Sequence, residues 1–479
     1  MKMLICKAAF CVLTICPFLS AQNVLIIRHV NVVNVADGTI QRDRTLTIKD
    51  GLISEVLSGQ VAVPHGASSL DGSGTFVIPG LWDMHYHFEG GAPNVRELNL
   101  LVANGVLGIR DVGDKPEKIF ATRSDISSGK ILGPQIVACG PIVDGPDPTN
   151  PPLSVSVRSA EDARTMAHTL KDMGSDCIKV HDGVPLEAYL ALAAEAKIVG
   201  LPLVGHVPVR VHVMQATNAG QRSIEHQIGL RGGSTAEDEV MESERKNDIF
   251  AEAMRTKNYQ LIPESIATRG NQILDHFDQN RMMEVYKAFV KNGTYLDPTL
   301  VTDRGLTFVD DLSKRDDPRF KYIPSSQREW WNPERGMLTR YRTPAYIAFR
   351  KRQFEKTLQQ IPIAHRAGVQ FLAGTDNTLP FVYPGFSVHD EMALFVQAGL
   401  SPLGALQTAT VNPATFLGLN RSGTVMPGKQ ANVVILEGNP LKDIRNTQKI
   451  RAVIFRGNLL DRKDLDDMLR ESQLAAGEQ

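Results

Sequence analysis

The segment Pro79-Gly80-Leu81-Trp82-Asp83-Met84-His85-Tyr86-His87 places two histidines two residues apart at the end of an apolar run. On a β-strand, positions i and i+2 face the same way, so His85 and His87 can offer two imidazoles to one metal ion. A His-x-His pair by itself is weak evidence, because short motifs of this kind recur by chance. Four further ligand-type residues close other apolar runs: Lys179 in Cys177-Ile178-Lys179-Val180, His206 in Val204-Gly205-His206-Val207, His226 in Ile224-Glu225-His226-Gln227, and Asp376 in Ala373-Gly374-Thr375-Asp376. A charged Lys or Asp at the end of an apolar strand is costly unless paired or metal-bound. Taken singly, Lys179 reads equally as half of a buried salt bridge, and each histidine as a satisfied core residue. Their shared position at strand ends is what favours a metal centre.

A second group of residues has a weaker pattern. Arg110 and Asp111 end an apolar run and either orient ligands, hold a substrate carboxylate or simply pair with each other. His181 shares the parity of Lys179 and either reaches a pocket or sits in a solvated loop. Tyr295 and Thr299 alternate on a later strand, where lining a site and packing a core are equally good readings. His389 falls in a helix-like stretch and reads as a support or surface residue. The sequence holds no Gly-x-Ser-x-Gly elbow, no Walker loop and no Gly-x-Gly-x-x-Gly after a strand. Motifs for a serine nucleophile, for nucleotide phosphates and for a dinucleotide are therefore absent, and nothing competes with metal-assisted chemistry.

These residues need elements to hold them. From residue 79 to about 410, apolar strands alternate with helical patterns, the signature of βα units around a parallel sheet. Eight strands are expected: Leu81–His87, Val106–Val112, Gln135–Gly140, Asp176–Asp182, Pro202–Val207, Arg222–Gln227, Thr294–Thr299 and Val369–Asp376. The expected fold class is α/β, a (β/α)₈ TIM barrel over residues 79–418, with its site at the C-terminal ends of the strands. Between strands six and seven, a charged, helix-forming insert within 230–292 is expected to cover the barrel mouth; a rival assignment makes Tyr259–Glu264 the seventh strand. Residues 22–78 carry short alternating runs with turn signals at Asp37-Gly38 and Asp50-Gly51. Residues 419–479 resume that pattern. Each flank is too small for its own core, so a small β-sandwich built from both chain ends is expected.

Taken together these motifs resemble the amidohydrolase superfamily, in its binuclear, prolidase-like and imidazolonepropionase-like branch. The resemblance rests on Lys49 to Ile53, the His-x-His strand, Ile109-Arg110-Asp111-Val112-Gly113, Gly368 to Asp376, His389-Asp390-Glu391, Ala398 to Pro402, Ala405 to Thr410 and Gly423 to Leu436. It implies that His85, His87 and Asp376 bind a more buried metal and His206 and His226 a more exposed one. It further implies that Lys179 bridges both after capturing carbon dioxide as a carbamate. Four imidazoles and two carboxyl-type donors suit Zn²⁺ best, ahead of Mn²⁺, Co²⁺ or Fe²⁺. Two such divalent ions polarise a carbonyl and generate hydroxide from a bridging water, with Asp376 passing the proton to the leaving group. The expected enzyme cleaves a C–N bond in a small molecule, a dipeptide or N-acyl amino acid. The same centre would serve a lactone, a cyclic amide or a phosphoester, and a barrel that binds a ligand without turning it over is the rival reading outside enzymes. Family members commonly self-associate, so a homo-oligomer is left open. His181 departs from the Tyr often found there in relatives, which leaves the substrate open.

Composition sets the remaining bounds. The 479 residues carry a net charge of −1 and are 42% hydrophobic, which suits a large core and gives no basic footprint for nucleic acid. The N-terminus has a basic start, an apolar run from Ala8 to Leu19 and a small residue at Ala21, the parts of a signal peptide over residues 1–21. That run is short for a membrane span, and a lipid anchor at Cys16 is disfavoured by Ile15. An exported protein, periplasmic or secreted and without a membrane partner once the signal is removed, is the expectation. Three of the five cysteines lie in that segment. The other two, Cys139 and Cys177, are expected to be buried free thiols, since a cross-link inside a barrel would be strained.

Overall fold

In the computed structural model, residues 24–477 are described except 60, 309, 333–342 and most of 227–260. The expected signal segment therefore lies outside the described residues, as does much of the insert. The N-terminal alternation folds into β1 (Val24–Val33), β2 (Ile40–Lys49) and β3 (Leu52–Ser58), each antiparallel to the next. The β2–β3 connection is Asp50-Gly51, both at positive φ (50° and 77°), as a tight hairpin turn requires. β4 (Ser68–Asp71) and β5 (Phe76–Pro79) add parallel to β1.

The C-terminal end joins the same sheet. β15 (Val433–Leu436) pairs antiparallel with β5, setting Ile78 opposite Val434, and β16 (Ile450–Phe455) and β17 (Asn458–Leu460) extend the edge. The two chain ends are thus hydrogen-bonded into one eight-stranded sheet. Alternation splits its side chains: Val77, Val433 and Ile435 join a cluster with Leu25, Ile27 and Leu46, while Ile78 and Val434 face the main core.

The central region is α/β with two parallel sheets. β6 (Leu81–Tyr86), β7 (Val106–Asp111) and β8 (Gln135–Ala138) form one. The other runs in the order β10 (Ser154–Ser156), β9 (Ile142–Asp144), β11 (Ile178–Val180), β12 (Leu203–Gly205), β13 (Ser223–Glu225), β14 (Tyr295–Asp297). The first seven expected strands are present, though most are shorter than expected.

The ladders do not close into one barrel. At the first seam the Asp176 N–H donates to the Ala138 carbonyl, and a Cys139–Cys177 disulfide links the two sheets, contrary to the expected free thiols. The bond does not cross the interior. The two residues sit side by side across the seam, with Cα atoms 4.4 Å apart, within the reach of an ordinary disulfide. At the second seam the expected eighth strand makes one bridge to β14, Leu296 to Phe371, and on its other edge the Met84 N–H donates to the Ala373 carbonyl and the Asp376 N–H to the His85 carbonyl of β6. The pairing is irregular there because the Asp83 carboxylate takes the Thr375 N–H. The rival seventh strand is overturned: residues Leu261–Asp275 form a helix, followed by a second over Gln279–Asn292. No helix among the described residues is long and apolar enough to cross a membrane.

Candidate metal centre

Strand ends bring the expected ligands together. His85, buried on β6, lies with Nε2 3.4 Å from Asp376 Oδ1. His87 Nε2 is 3.7 Å from the same oxygen, and His226 Nε2 is 3.9 Å from Asp376 Oδ2. One donor atom each from His85, His87 and Asp376 falls within 4.8 Å of the others, a spacing a single ion can occupy. His226 stands between this group and His206, its ring centroid 4.7 Å from that of His85 and 4.8 Å from that of His206. The second compact trio is His181, Asp182 and His206. His181 therefore belongs to the site, its ring 4.2 Å from that of His206.

Three of the imidazoles, His87, His206 and His226, are steadied by hydrogen bonds through Nδ1, and His85 and His181 only face a carboxylate there. His87 donates to the Gly113 carbonyl at 3.1 Å, which fixes Nε2 as its bare nitrogen. His206 Nδ1 bonds Asp182 at 3.0 Å, and His226 Nδ1 bonds the Thr299 hydroxyl at 2.7 Å. His85 Nδ1 lies 3.3 Å from Glu225, and His181 Nδ1 lies 3.2 Å from Asp144. An oxygen partner on one ring nitrogen, leaving the other to ligate, is what metal-binding histidines require. Burial also holds His87 and His206 down to about 4, and His85 and His226 well below the usual histidine value. Neutral imidazoles are the form that ligates a cation. By donor chemistry the residues fit divalent metal.

Burial pushes the Asp376 carboxyl up to about 7, against the lowering effect of Lys179. Asp376, Thr299 and His226 all hold positive φ (54°, 46° and 61°), a backbone state costly for residues with a Cβ and concentrated at functional sites.

Lys179 is fully buried and pairs with the carboxylate of Glu225, a residue that the strand-end motif marks only as the neighbour of His226. Glu225 also takes a 2.8 Å bond from Arg110, whose guanidinium further reaches Asp297 at 3.2 Å, Ser223 at 2.9 Å and the Met84 carbonyl at 2.6 Å. Arg110 is therefore a buried strut beneath the site, its guanidinium committed to protein partners; this corrects its placement as a substrate contact. Tyr295 is corrected likewise. It opens β14, at the opposite end from the site, and packs edge-on against Phe416 with ring centroids 5.1 Å apart. Asp182, Asp83 and Thr299 complete the supports that motifs alone do not place. Glu225 carried one usable signal: it shares the parity of Ser223 on a short strand and points inward, where a lone carboxylate demands a cationic partner.

A cavity of about 190 Å³ opens beside Asp376, His206 and His226. Neutral imidazoles and a buried carboxylate, gathered where parallel strands end beside a cavity, form a candidate site for divalent metal. The Amidohydrolase family model matches residues 76–460, and the chain belongs to that family. An adenine deaminase of Ligilactobacillus salivarius is 27% identical over 116 residues, 24% of this chain and 20% of that protein. An ochratoxinase of Aspergillus niger is 34% identical over 102 residues, 20% of each chain. The match thus spans about a fifth of the length of these two curated relatives. A solved Xaa-Pro dipeptidase superposes with a TM-score of 0.64 at 19% identity, covering 92% of this chain and all of that one, and shares the fold.

Proposed function

We propose that this protein is an exported amidohydrolase that cleaves the C–N bond of a dipeptide or N-acyl amino acid. The observation that carries the reading is the placement of Asp376: its carboxylate faces three imidazoles within 4 Å and borders the cavity. His85, His87 and Asp376 would hold one divalent ion and His206 and His226 another, with His181 and Asp182 beside the second. Lys179, as a carbamate formed from carbon dioxide, would supply a further anionic donor; its amine pairs with Glu225, which also flanks the His85 ring. Bound metal, Zn²⁺ by its preference for this donor set, polarises the scissile carbonyl and acidifies water. Asp376 accepts a proton from the attacking water and delivers it to the leaving amine, a task suited to a carboxyl held near neutrality. In the scaffold, β6–β8, β11–β14 and residues 369–376 correspond to a (β/α)₈ barrel, a reading supported by the hydrogen bonds at both seams. Export is supported by the N-terminal pattern and by a disulfide, which persists in oxidising compartments.

Asp376→Asn is expected to lower kcat by about 10²–10⁴-fold while metal analysis still finds bound ions. Retained activity would remove Asp376 from proton transfer. A screen of the zinc- and bicarbonate-supplemented enzyme against dipeptides, N-acyl amino acids and lactones tests the bond class, and inactivity on every amide defeats the proposal. N-terminal sequencing of protein recovered outside the cytoplasm should begin at Gln22; an intact Met1 there would refute signal cleavage.

A further inference from the structure

The cavity that borders the ligands is lined by more than polar groups. Beside Asp376, His206, His226, Thr302 and Gln353 it is lined by Val213, Met282, Phe289, Leu306 and Leu379. Met282 and Phe289 come from the helix Gln279–Asn292, and Leu306 from the helix Leu300–Thr307, so the walls stand on regular elements packed into the core. Among the described residues, the one Lys or Arg on the lining is already neutralised. Arg350 donates to Asp303 at 2.5 Å and to the Gln353 side chain at 3.1 Å. The wall therefore offers apolar surface with a closed ion pair and carries no net charge from these two side chains. Its volume, about 190 Å³, lies below the roughly 300–1,000 Å³ of sites that take drug-sized molecules. It has room for one residue-sized group.

We propose that this chamber is the specificity subsite for one uncharged, bulky apolar side chain flanking the scissile bond, of the size of Leu, Met or Phe. The inference rests on the amidohydrolase reading above and adds the substrate class. Two physical arguments select that occupant. Moving such a side chain from water into an apolar chamber stabilises the complex by about 1.5–3 kcal/mol, equivalent to roughly ten- to a hundred-and-fifty-fold in kcat/KM. A charged side chain would be desolvated there beside groups that already have partners, Arg350 with Asp303, Glu225 with Lys179 and Arg110, Asp182 with His206 and Asp376 with the imidazoles, and is disfavoured.

The test uses two substrate panels with the metal-loaded enzyme. One is N-acetyl amino acids varying in the amino acid, and the other is Xaa-Gly dipeptides varying in Xaa, each with Ala, Leu, Phe, Asp and Lys. In one panel kcat/KM for Leu or Phe should exceed that for Ala by at least tenfold, with Asp and Lys below Ala. Leu306→Trp and Met282→Trp each fill the chamber from a different helix. Both should erase the Leu and Phe advantage while leaving the Ala substrate and the metal content within a few-fold of wild type. A flat or charge-preferring profile in both panels overturns the proposal, as does an apolar preference that survives both substitutions. If no amide is turned over, the function proposed above fails, and calorimetry still decides the chamber. Hexanoate or phenylacetate should then bind the metal-loaded protein at least tenfold more tightly than acetate, and Leu306→Trp should abolish the difference. Equal binding of all three overturns it.

Discussion

Glu225 receives a buried cation from two directions, Lys179 from β11 and Arg110 from β7, and also flanks the His85 ring. Three residues that must act together at the site therefore share one carboxylate. Glu225→Gln keeps the shape but strips the charge, leaving Lys179 and Arg110 with one fewer buried counter-ion. Metal affinity is expected to fall about 10–100-fold, read by competition with a chelator, alongside a fall in kcat. Unchanged metal affinity would show that Glu225 supports the fold and not the ligands. At this scale the sequence is most informative about residues that carry lone pairs. His85, His87, His206, His226 and Asp376 are legible because each ends an apolar run, where their cost marks them. Glu225 and Asp182 stand next to such residues and are eclipsed by them, since a partner's identity depends on which strands are neighbours. Arg110 and Tyr295 are misplaced for a related reason. Strand parity tells which face a side chain takes but not its depth along the strand axis, and only depth separates a floor from a mouth.

The helix Ser387–Ala398 supplies Glu391, whose two carboxylate oxygens accept the Leu300 and Val301 N–H groups at 2.9 and 2.7 Å. These are the first two residues of the helix Leu300–Thr307, and the residue before them is Thr299, which holds His226. One helix thus caps another, and the cap ends at a ligand's support. Burial pushes Glu391 up to about 8, outweighing the two N–H bonds that favour its charged form. A carboxyl with a raised folded value contributes stability that is complete below its unfolded value near 4.3 and is lost as pH rises toward 8. Glu391→Gln removes that titration. Its destabilisation relative to wild type should therefore shrink from pH 5 to pH 8 in urea unfolding of the metal-free protein; a gap that widens with pH contradicts the raised value. Element types are legible where apolar runs alternate with helical patterns, as in the first seven parallel strands. The eighth is not, because the Asp83 carboxylate takes the Thr375 N–H, a substitution of side chain for strand that no periodic pattern records.

Over the whole molecule, two covalent or topological closures matter. The disulfide spans a sequence separation of 38 residues and ties the two parallel sheets at one seam. Loop-closure entropy for a span of that length predicts about 3–4 kcal/mol of stability. Reduction, or a Cys139→Ala, Cys177→Ala double variant, should lower the urea unfolding free energy by that amount, and an unchanged value would mean the seam holds without it. The other closure is the eight-stranded sheet, in which β5 lies between β1 from the N-terminal segment and β15 from the C-terminal one. During synthesis, β1 to β5 emerge long before β15 exists, so the edge of β5 has no partner until nearly the whole chain has been made. An unpaired, apolar strand edge is an invitation to pair with the wrong chain. Until the strands after residue 432 arrive, during synthesis or on emergence from export, the N-terminal strands therefore keep that edge open.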